Sequence, residues 1–352
     1  CFKPVAVYTP QLERGYTPDS IVDDTYFNGG PHNADGSYAG KISLRYAVEK
    51  SKNVIAWKLF QELTPEVGLS YPIKMGFAKI VDSDYYPAAS LGGLTNGVTT
   101  VEMASAFAAI ENDGVFREPT CISKITDSEG KTIVNNKKNR KEKHVYKQNA
   151  ARMMTSILQG VLVSGTARGN ALDNMSCAGK TGTTSDKKDG WFCGYTPYYT
   201  TTVWVGYDNP KTLYDLYGNT YPLRIWREFM SDIHQGLENK EFESYEGQNS
   251  SGSSGQDYSG DYNSDGNTTV TAVPTMDPDA MDNTKPTETP DNDSENNTDK
   301  DTEAAPTKKP ADNNDNTDVG DSGDDGDDSQ PDDVGGDDAS IPDDVGGDDT
   351  VN

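Results

Sequence analysis

Cysteine and histidine are scarce in this sequence: among 352 residues there are 4 of the first and 3 of the second. Cys1, Cys121, Cys177 and Cys193 are too few and too scattered for a disulfide scaffold or a CxxC zinc site. Each is expected to be a small buried apolar residue, with Cys177 and Cys193 the only pair considered for bridging. His32, His144 and His234 stand singly, without metal-ligand spacing, and are expected at the surface. No metal, no cofactor and no serine–histidine pair is therefore expected. Long apolar runs are absent too. Nothing approaches the roughly 18 residues of a membrane-spanning helix, and no stretch reads as a signal peptide. Any membrane anchor is expected upstream of Cys1.

Excess negative charge, by contrast, is abundant, but it is confined to one part of the chain. The formal net charge is −26, from 57 acids and 31 bases. Residues 246–352 hold 30 of the acids and 4 of the bases, which leaves 27 of each in residues 1–245. The acidic part has no Phe, Trp or Cys, and ends in "PDDVGGDD", at Pro331 and again at Pro342. Such a segment buries too little apolar surface to offset its ordering entropy, so 246–352 is expected to be a disordered low-complexity tail. Within it, "DYNSDGNTTVTA" matches a calcium loop at Asp261, Asn263, Asp265 and Gly266. Position twelve is Ala272, where a bidentate acid is required, so specific calcium binding is not expected. The neutral block, taken as 1–240, is long enough for one good-sized domain. Its basic run "NNKKNRKEKH" is read as a solvated polar connector, and no nucleic-acid partner is expected.

Hydrophobic spacing organises the neutral block. "SLRYAVEKSKNVIAWKLFQEL" has helical periodicity on both sides of Ser51–Asn53, with Ser51 or Asn53 as the expected N-cap of the second helix. "TTVEMASAFAAIENDGV" predicts a helix from about Thr100 to Glu111, stopping at Asn112–Gly114. "NAARMMTSILQGVLVSG" predicts an amphipathic helix burying Met153, Met154, Ile157, Leu158 and Val161. "SCAGKTGTT", "GWFCGYTP" and "YTTTVWVGYD" read as an antiparallel meander, and "LRIWREFMSDIH" as a closing helix. The order predicts an α+β layered domain, an antiparallel sheet flanked by helices.

Two short motifs lie within these elements: Ser51-Lys52-Asn53 at a turn between helices, and Lys180-Thr181-Gly182 on a strand. Lys3 precedes both. Alone, each motif is uninformative. Together, in these places, they resemble serine acyltransferases of the penicillin-recognising group, whose Ser-x-x-Lys is completed by Ser-x-Asn and Lys-Thr-Gly. "CFKPVAVYTPQLERGYTPDS", "SLRYAVEKSKNVIAWKL", "LGGLTNGVTTVEMASAFAAIENDGVF", "AGKTGTTSDKKDGWFCGYTP" and "VWVGYD" resemble, in order, blocks of the transpeptidase domain of class A, bifunctional penicillin-binding proteins. The resemblance covers essentially residues 1–240. It places the nucleophilic serine three positions before Lys3, immediately ahead of Cys1, so this chain by itself is expected to be inactive. Two rival readings of Cys1, a processed N-terminal nucleophile and a lipid anchor, leave the motifs unexplained or lack a polar linker.

The resemblance implies a D-Ala-D-Ala transpeptidase that cross-links peptidoglycan stem peptides through a serine acyl-enzyme and is acylated by β-lactams. Acyl transfer needs a base for the serine hydroxyl, and a lysine one helical turn away, kept neutral by burial and nearby positive charge, serves that need. Lys3 takes that role. Ser51 then resembles a proton-relay serine, and Asn53 a residue holding the substrate amide and the lysine. Lys180 would lower the lysine's pKa and attract the stem-peptide carboxylate. Thr181 and Thr183 would offer it hydroxyls, Gly182 would admit the substrate backbone, and the Thr183 N–H would line the oxyanion hole. Trp191 and Tyr195 are read as cleft rim or core. A D,D-carboxypeptidase or β-lactamase-type hydrolase, and a non-catalytic penicillin-binding sensor domain, share these motifs; the rate of deacylation separates them. The implied location is extracytoplasmic, at a Gram-positive surface, anchored through upstream sequence.

Overall fold

The computed structural model describes residues 1–136 and 140–247. The chain divides into a unit Cys1–Met281 and a second unit Asp282–Asn352, and every described residue belongs to the first. The acidic repeats, the calcium-loop-like segment and residues 137–139 of the basic run lie outside the described residues.

The first element is a helix buried on all sides. Phe2 through Leu12 are all shielded from solvent, the mark of a helix in the middle of a domain rather than on its surface. Its opening turn, Pro4–Tyr8, is π-helical, and Thr9–Glu13 continues as α-helix. Pro10 accounts for the wide turn: it has no N–H to return to Ala6, and its ring crowds the Ala6 carbonyl. The Pro4 carbonyl accepts from both the Thr9 N–H and, at 2.7 Å, the Thr9 hydroxyl.

Against this helix stand Asn53–Leu63, Pro65–Lys74 and Gln148–Val163, and Leu44–Glu49 and Thr100–Glu111 pack in turn on the last of these. The helix over Thr100–Glu111 starts from a capping box, the Thr99 hydroxyl accepting from the Glu102 N–H at 3.1 Å while Glu102 Oε2 accepts from the Thr99 N–H at 2.7 Å. Gln148–Val163 buries Met153, Met154, Ile157, Leu158 and Val161, the face its spacing predicts.

Against these helices lies a three-stranded antiparallel sheet in sequence order, Ala178–Thr183, Asp189–Tyr195 and Thr200–Gly206. Both of its faces are covered. On one, Trp226 of the closing helix Tyr221–Ile233 meets the Phe192 ring edge-on at 4.9 Å. On the other, the Tyr195 hydroxyl pairs with Thr155 at 2.9 Å, and its ring lies 6.3 Å from that of Phe107. Lys180 stands directly across from Cys193 in register, so it shares the Tyr195 face and points toward the helices. The architecture is the α+β domain expected. Packing continues to the end of the described residues: Phe242 and Tyr245 lie against the core, and the Glu246 N–H donates to Asn149.

Several local expectations need correction. The helix Asn53–Leu63 is not capped by Ser51 or Asn53; Lys52 occupies the cap position without a side-chain bond, and Asn33 supplies the acceptor from a distant loop. Cys121 is exposed, and Cys177 and Cys193 are free thiols, so no bridge joins them. His234 is buried. Its Nδ1 donates to the Met230 carbonyl at 2.6 Å, which leaves Nε2 to accept from the Thr196 hydroxyl at 2.7 Å. The end of the basic run is a strand, Glu142–His144, exposed to solvent as expected but paired with Val115–Arg117 rather than a plain connector; pairing with a distant strand is something a count of charges does not register.

Candidate active site

Three elements converge on the hydroxyl of Ser51. Lys3, at the start of the buried helix, places its Nζ 3.3 Å from Ser51 Oγ, and donates to the Ser51 carbonyl at 2.8 Å and to Asn53 Oδ1 at 2.6 Å. From the sheet, Lys180 Nζ donates to the same Ser51 Oγ at 2.9 Å and to the Thr181 carbonyl at 3.0 Å. Ser51 itself comes from the turn between two helices, with φ at +57°. A non-glycine residue there is strained and persists only where its surroundings over-determine it. The predicted residues Lys3, Ser51, Asn53 and Lys180 thus meet at one point, although 129 residues separate the second from the last.

The electrostatics follow from burial. Lys3 is 7% exposed and Lys180 1% exposed, and neither has a carboxylate within ion-pair distance among the described residues. Burial, and then the positive charge of Lys180, holds the Lys3 amine well below its ordinary pKa. Burial brings Lys180 down to about 8. Desolvation penalises the charged form of each, and their proximity penalises charging both together. At neutral pH this geometry can carry one neutral amine and one ammonium around a single hydroxyl. A proton on Ser51 can then pass to Lys3 while Lys180 supplies the balancing donor.

Lys52, the middle residue of the motif, is the opposite case. It is buried yet charged, paired with Asp35 at 2.9 Å and with the fully buried Asp24 at 3.5 Å. Burial pulls its pKa down, but these carboxylates outweigh that and hold it above the ordinary value.

The strand residues occupy the neighbouring edge. The Thr181 hydroxyl pairs with Thr166 at 2.6 Å, and the Thr183 hydroxyl accepts from the Gly218 N–H at 2.9 Å. Gly182 has no room for a side chain, because a Cβ there would stand 2.8 Å from the Cys1 nitrogen and 3.2 Å from its sulfur. Gly218 packs backbone to backbone on the same spot, where a Cβ would come within 2.6 Å of the Gly182 nitrogen. The Cys1 thiol donates to the Lys180 carbonyl at 3.0 Å. Of the two aromatic residues considered for the rim, Tyr195 is core and Trp191 is half-buried beside Trp204. Among the described residues no cluster of His, Cys, Asp and Glu is placed to hold a metal, and no helix is long and apolar enough to cross a membrane.

Sequence reasoning did not single out Lys52, Asp24, Asn33, Thr166 or Gly218. "PHNADG" carries ordinary turn chemistry, and nothing in it announces which helix its asparagine will cap.

Residues 1–231 match the family described as the penicillin binding protein transpeptidase domain. Curated relatives include penicillin-binding protein 1A of Clostridium acetobutylicum, 36% identical over 256 residues, which span 68% of this chain and 31% of the relative. Penicillin-binding protein 1F of Bacillus subtilis is 36% identical over 241 residues, 65% of this chain and 33% of the relative. The chain thus spans about a third of the length of the curated relatives it matches. Among solved structures, penicillin-binding protein 1A from Haemophilus influenzae superposes with a TM-score of 0.61 at 24% identity, over 69% of this chain and 42% of that one. The PonA1 protein from Mycobacterium tuberculosis, in complex with penicillin V, gives a TM-score of 0.61 at 24% identity, over 69% and 70% respectively. At such identity the likeness concerns the fold.

Proposed function

The chain belongs to the penicillin-binding-protein transpeptidase family, and on that premise we propose that its site forms an acyl-enzyme with D-Ala-D-Ala stem peptides of peptidoglycan and passes the acyl group to an amine. The observation that carries this is the Ser51 hydroxyl held between two buried lysines, 2.9 Å from one and 3.3 Å from the other. The nucleophile in this reading is a serine at the position just before Cys1, three ahead of Lys3. Its oxygen attacks the carbonyl of the penultimate D-alanine and its proton goes to neutral Lys3. The tetrahedral intermediate collapses and expels the terminal D-alanine, whose amine takes a proton through Ser51. An amine of a second stem peptide then attacks the ester, forming the cross-link and freeing the serine. Lys180, with the Thr181 and Thr183 hydroxyls, attracts the substrate carboxylate. The Thr183 N–H joins the serine's own in stabilising the oxyanion. A β-lactam enters the same sequence at the first attack and stops at the ester. The setting implied is extracytoplasmic, with anchoring by sequence outside this chain.

Incubation of the full-length protein, including the residue before Cys1, with a labelled penicillin tests this. A single covalent adduct is expected by intact mass, mapping to a serine adjacent to Cys1, with deacylation slow in water and faster with an acceptor amine. An adduct on the Cys1 thiol would overturn the assignment of the nucleophile, and rapid hydrolysis without an acceptor would make the enzyme a hydrolase.

The acylation rate should also depend on pH in a defined direction. Lys3 must be neutral, so the rate rises as pH climbs through its depressed pKa. Lys180 must be charged, so the rate falls as pH passes about 8. The two amines interact, and the limbs report the pair. A flat profile between pH 5 and 9 would contradict the lysine-base mechanism.

A further inference from the structure

We propose that Asn33 is a positioning residue for acyl transfer: it fixes the Ser51–Asn53 turn against Lys3, so that losing it slows acylation more than it weakens binding. The inference rests on the function proposed above and adds to it a residue outside the three motifs.

Asn33 lies in the loop joining the paired strands Ile21–Asp24 and Gly40–Ser43, and is 4% exposed. Its Oδ1 accepts from the Asn53 N–H at 2.7 Å and from the Val54 N–H at 3.2 Å. Those are two of the donors that the start of a helix leaves without an internal partner. Its Nδ2 donates to Asp24 Oδ1 at 2.7 Å and to the Ser37 carbonyl at 2.8 Å. All four bonding positions of the amide are therefore used, and a flipped amide would set donor against donor at the helix. The orientation has one solution.

The same loop controls the catalytic side of the turn. The carbonyl of His32, the residue immediately before Asn33, accepts from Asn53 Nδ2 at 2.9 Å. With its nitrogen held there, Asn53 presents Oδ1 to Lys3, at 2.6 Å. Asp24 is fully buried and closes the frame: its second oxygen accepts from the Ala39 N–H at 3.0 Å and faces Lys52 Nζ at 3.5 Å. The backbone of the motif is thus clamped through Asn53 by Asn33 and through Lys52 by Asp24 and Asp35. Ser51, one residue earlier, sits in its strained conformation between the lysines. A shift of this turn moves the Ser51 carbonyl, the Ser51 hydroxyl and Asn53 Oδ1 together, which are three partners of Lys3. Of the groups that would bind a substrate carboxylate, the Thr181 and Thr183 hydroxyls are bonded to Thr166 and Gly218 rather than to the turn, and only Lys180 shares a partner with it, Ser51 Oγ. That separation predicts an effect on the chemical step.

The test uses the full-length protein, including the residue before Cys1, and a fluorescent penicillin, resolving the binding constant from the first-order acylation rate. Asn33→Leu removes all four bonds at nearly constant volume. The acylation rate should fall about 10–100-fold, the scale of a displacement near 1 Å in a positioned site, with the binding constant changed less than about threefold. The combined exchange Asp24→Asn with Asn33→Asp keeps an acceptor on the helix and a donor–acceptor pair beneath it, and gives up only the bond to the Ser37 carbonyl. It should recover the rate to within about fivefold of the parent, whereas Asn33→Asp alone sets two carboxylates together and should not. A folded Asn33→Leu protein acylating at the parent rate, or losing only binding, would show the asparagine to be a stabilising cap alone. If Asn33→Leu does not fold, equal rates in Asn33→Asp and in the exchange overturn the proposal instead. Ser51→Ala, run beside them, separates the two ideas: parent-like acylation there sinks the functional reading and this one with it. A slowed Ser51→Ala protein with an unaffected Asn33 series sinks only this one.

Discussion

Replacing Lys180 by methionine should leave a folded domain that acylates about 10²–10³-fold more slowly, the usual loss when one preorganised electrostatic contact is removed. The side chain is 1% exposed and its ammonium is spent on Ser51 Oγ and the Thr181 carbonyl. Methionine fills a similar volume, so the core should tolerate it. The pH dependence of stability gives an independent check. In the folded state the lysine titrates near 8, below its unfolded value. A folded state that binds its proton more weakly carries a penalty that is complete below pH 8 and disappears as pH rises toward the unfolded pKa. A depression of this size corresponds to about 3 kcal/mol. Relative to the parent, Lys180→Met should therefore be more stable at pH 6 than at pH 10, as melting curves at the two values would show. An unchanged acylation rate in the folded variant would remove Lys180 from the mechanism.

Lys3→Met should have the larger kinetic effect, a loss of about 10²–10⁴ in acylation, the contribution typical of a positioned general base. Penicillin binding should change little, because the anion-attracting groups lie on the sheet. The rising limb of the pH profile should vanish with the lysine, since no other described side chain near Ser51 Oγ is a depressed amine able to take the proton except Lys180, which is already donating to it. Acylation within about threefold of the parent, with the rising limb intact, would assign the base elsewhere. Comparing the two variants also tests the division of labour: Lys180→Met should raise the pH of the rising limb, by removing the positive neighbour that helps depress Lys3.

Much of the fold was legible because its signals are local. The helix Gln148–Val163 follows from a 3.6-residue apolar spacing, and Thr100–Glu111 stops at Asn112, just before Asp113 and Gly114 take positive φ. The meander follows from short β-rich runs separated by turns. The site was legible in a different way: Lys3, Ser51, Asn53 and Lys180 were found by resemblance to a family, since neither motif means anything alone. What escaped were residues whose role depends on a partner far along the chain. Asn33 reads as a turn residue until it is seen 20 positions away on the Asn53 N–H. His234 reads as a surface histidine, but its ring closes onto Thr196, 38 residues earlier, and is buried. Lys52 was passed over as the unspecified middle of a motif, yet it carries the ion pairs that clamp the turn.

The sequence alone determined the family, the principal helices and the three-stranded meander, and the division into a neutral block and an acidic stretch, because composition, periodicity and motif order are properties of the chain itself; the two-stranded pairs such as Ile21–Asp24 with Gly40–Ser43 were not legible in it. Only the tertiary structure decided the chemistry of the lysines. Lys3, Lys52 and Lys180 are the same residue type, and no local rule ranks their proton affinities. Burial without a carboxylate lowers the first and the last, while Asp24 and Asp35 keep Lys52 charged. Solvent exclusion and distance set those values, and both arise only when segments remote in sequence meet around Ser51.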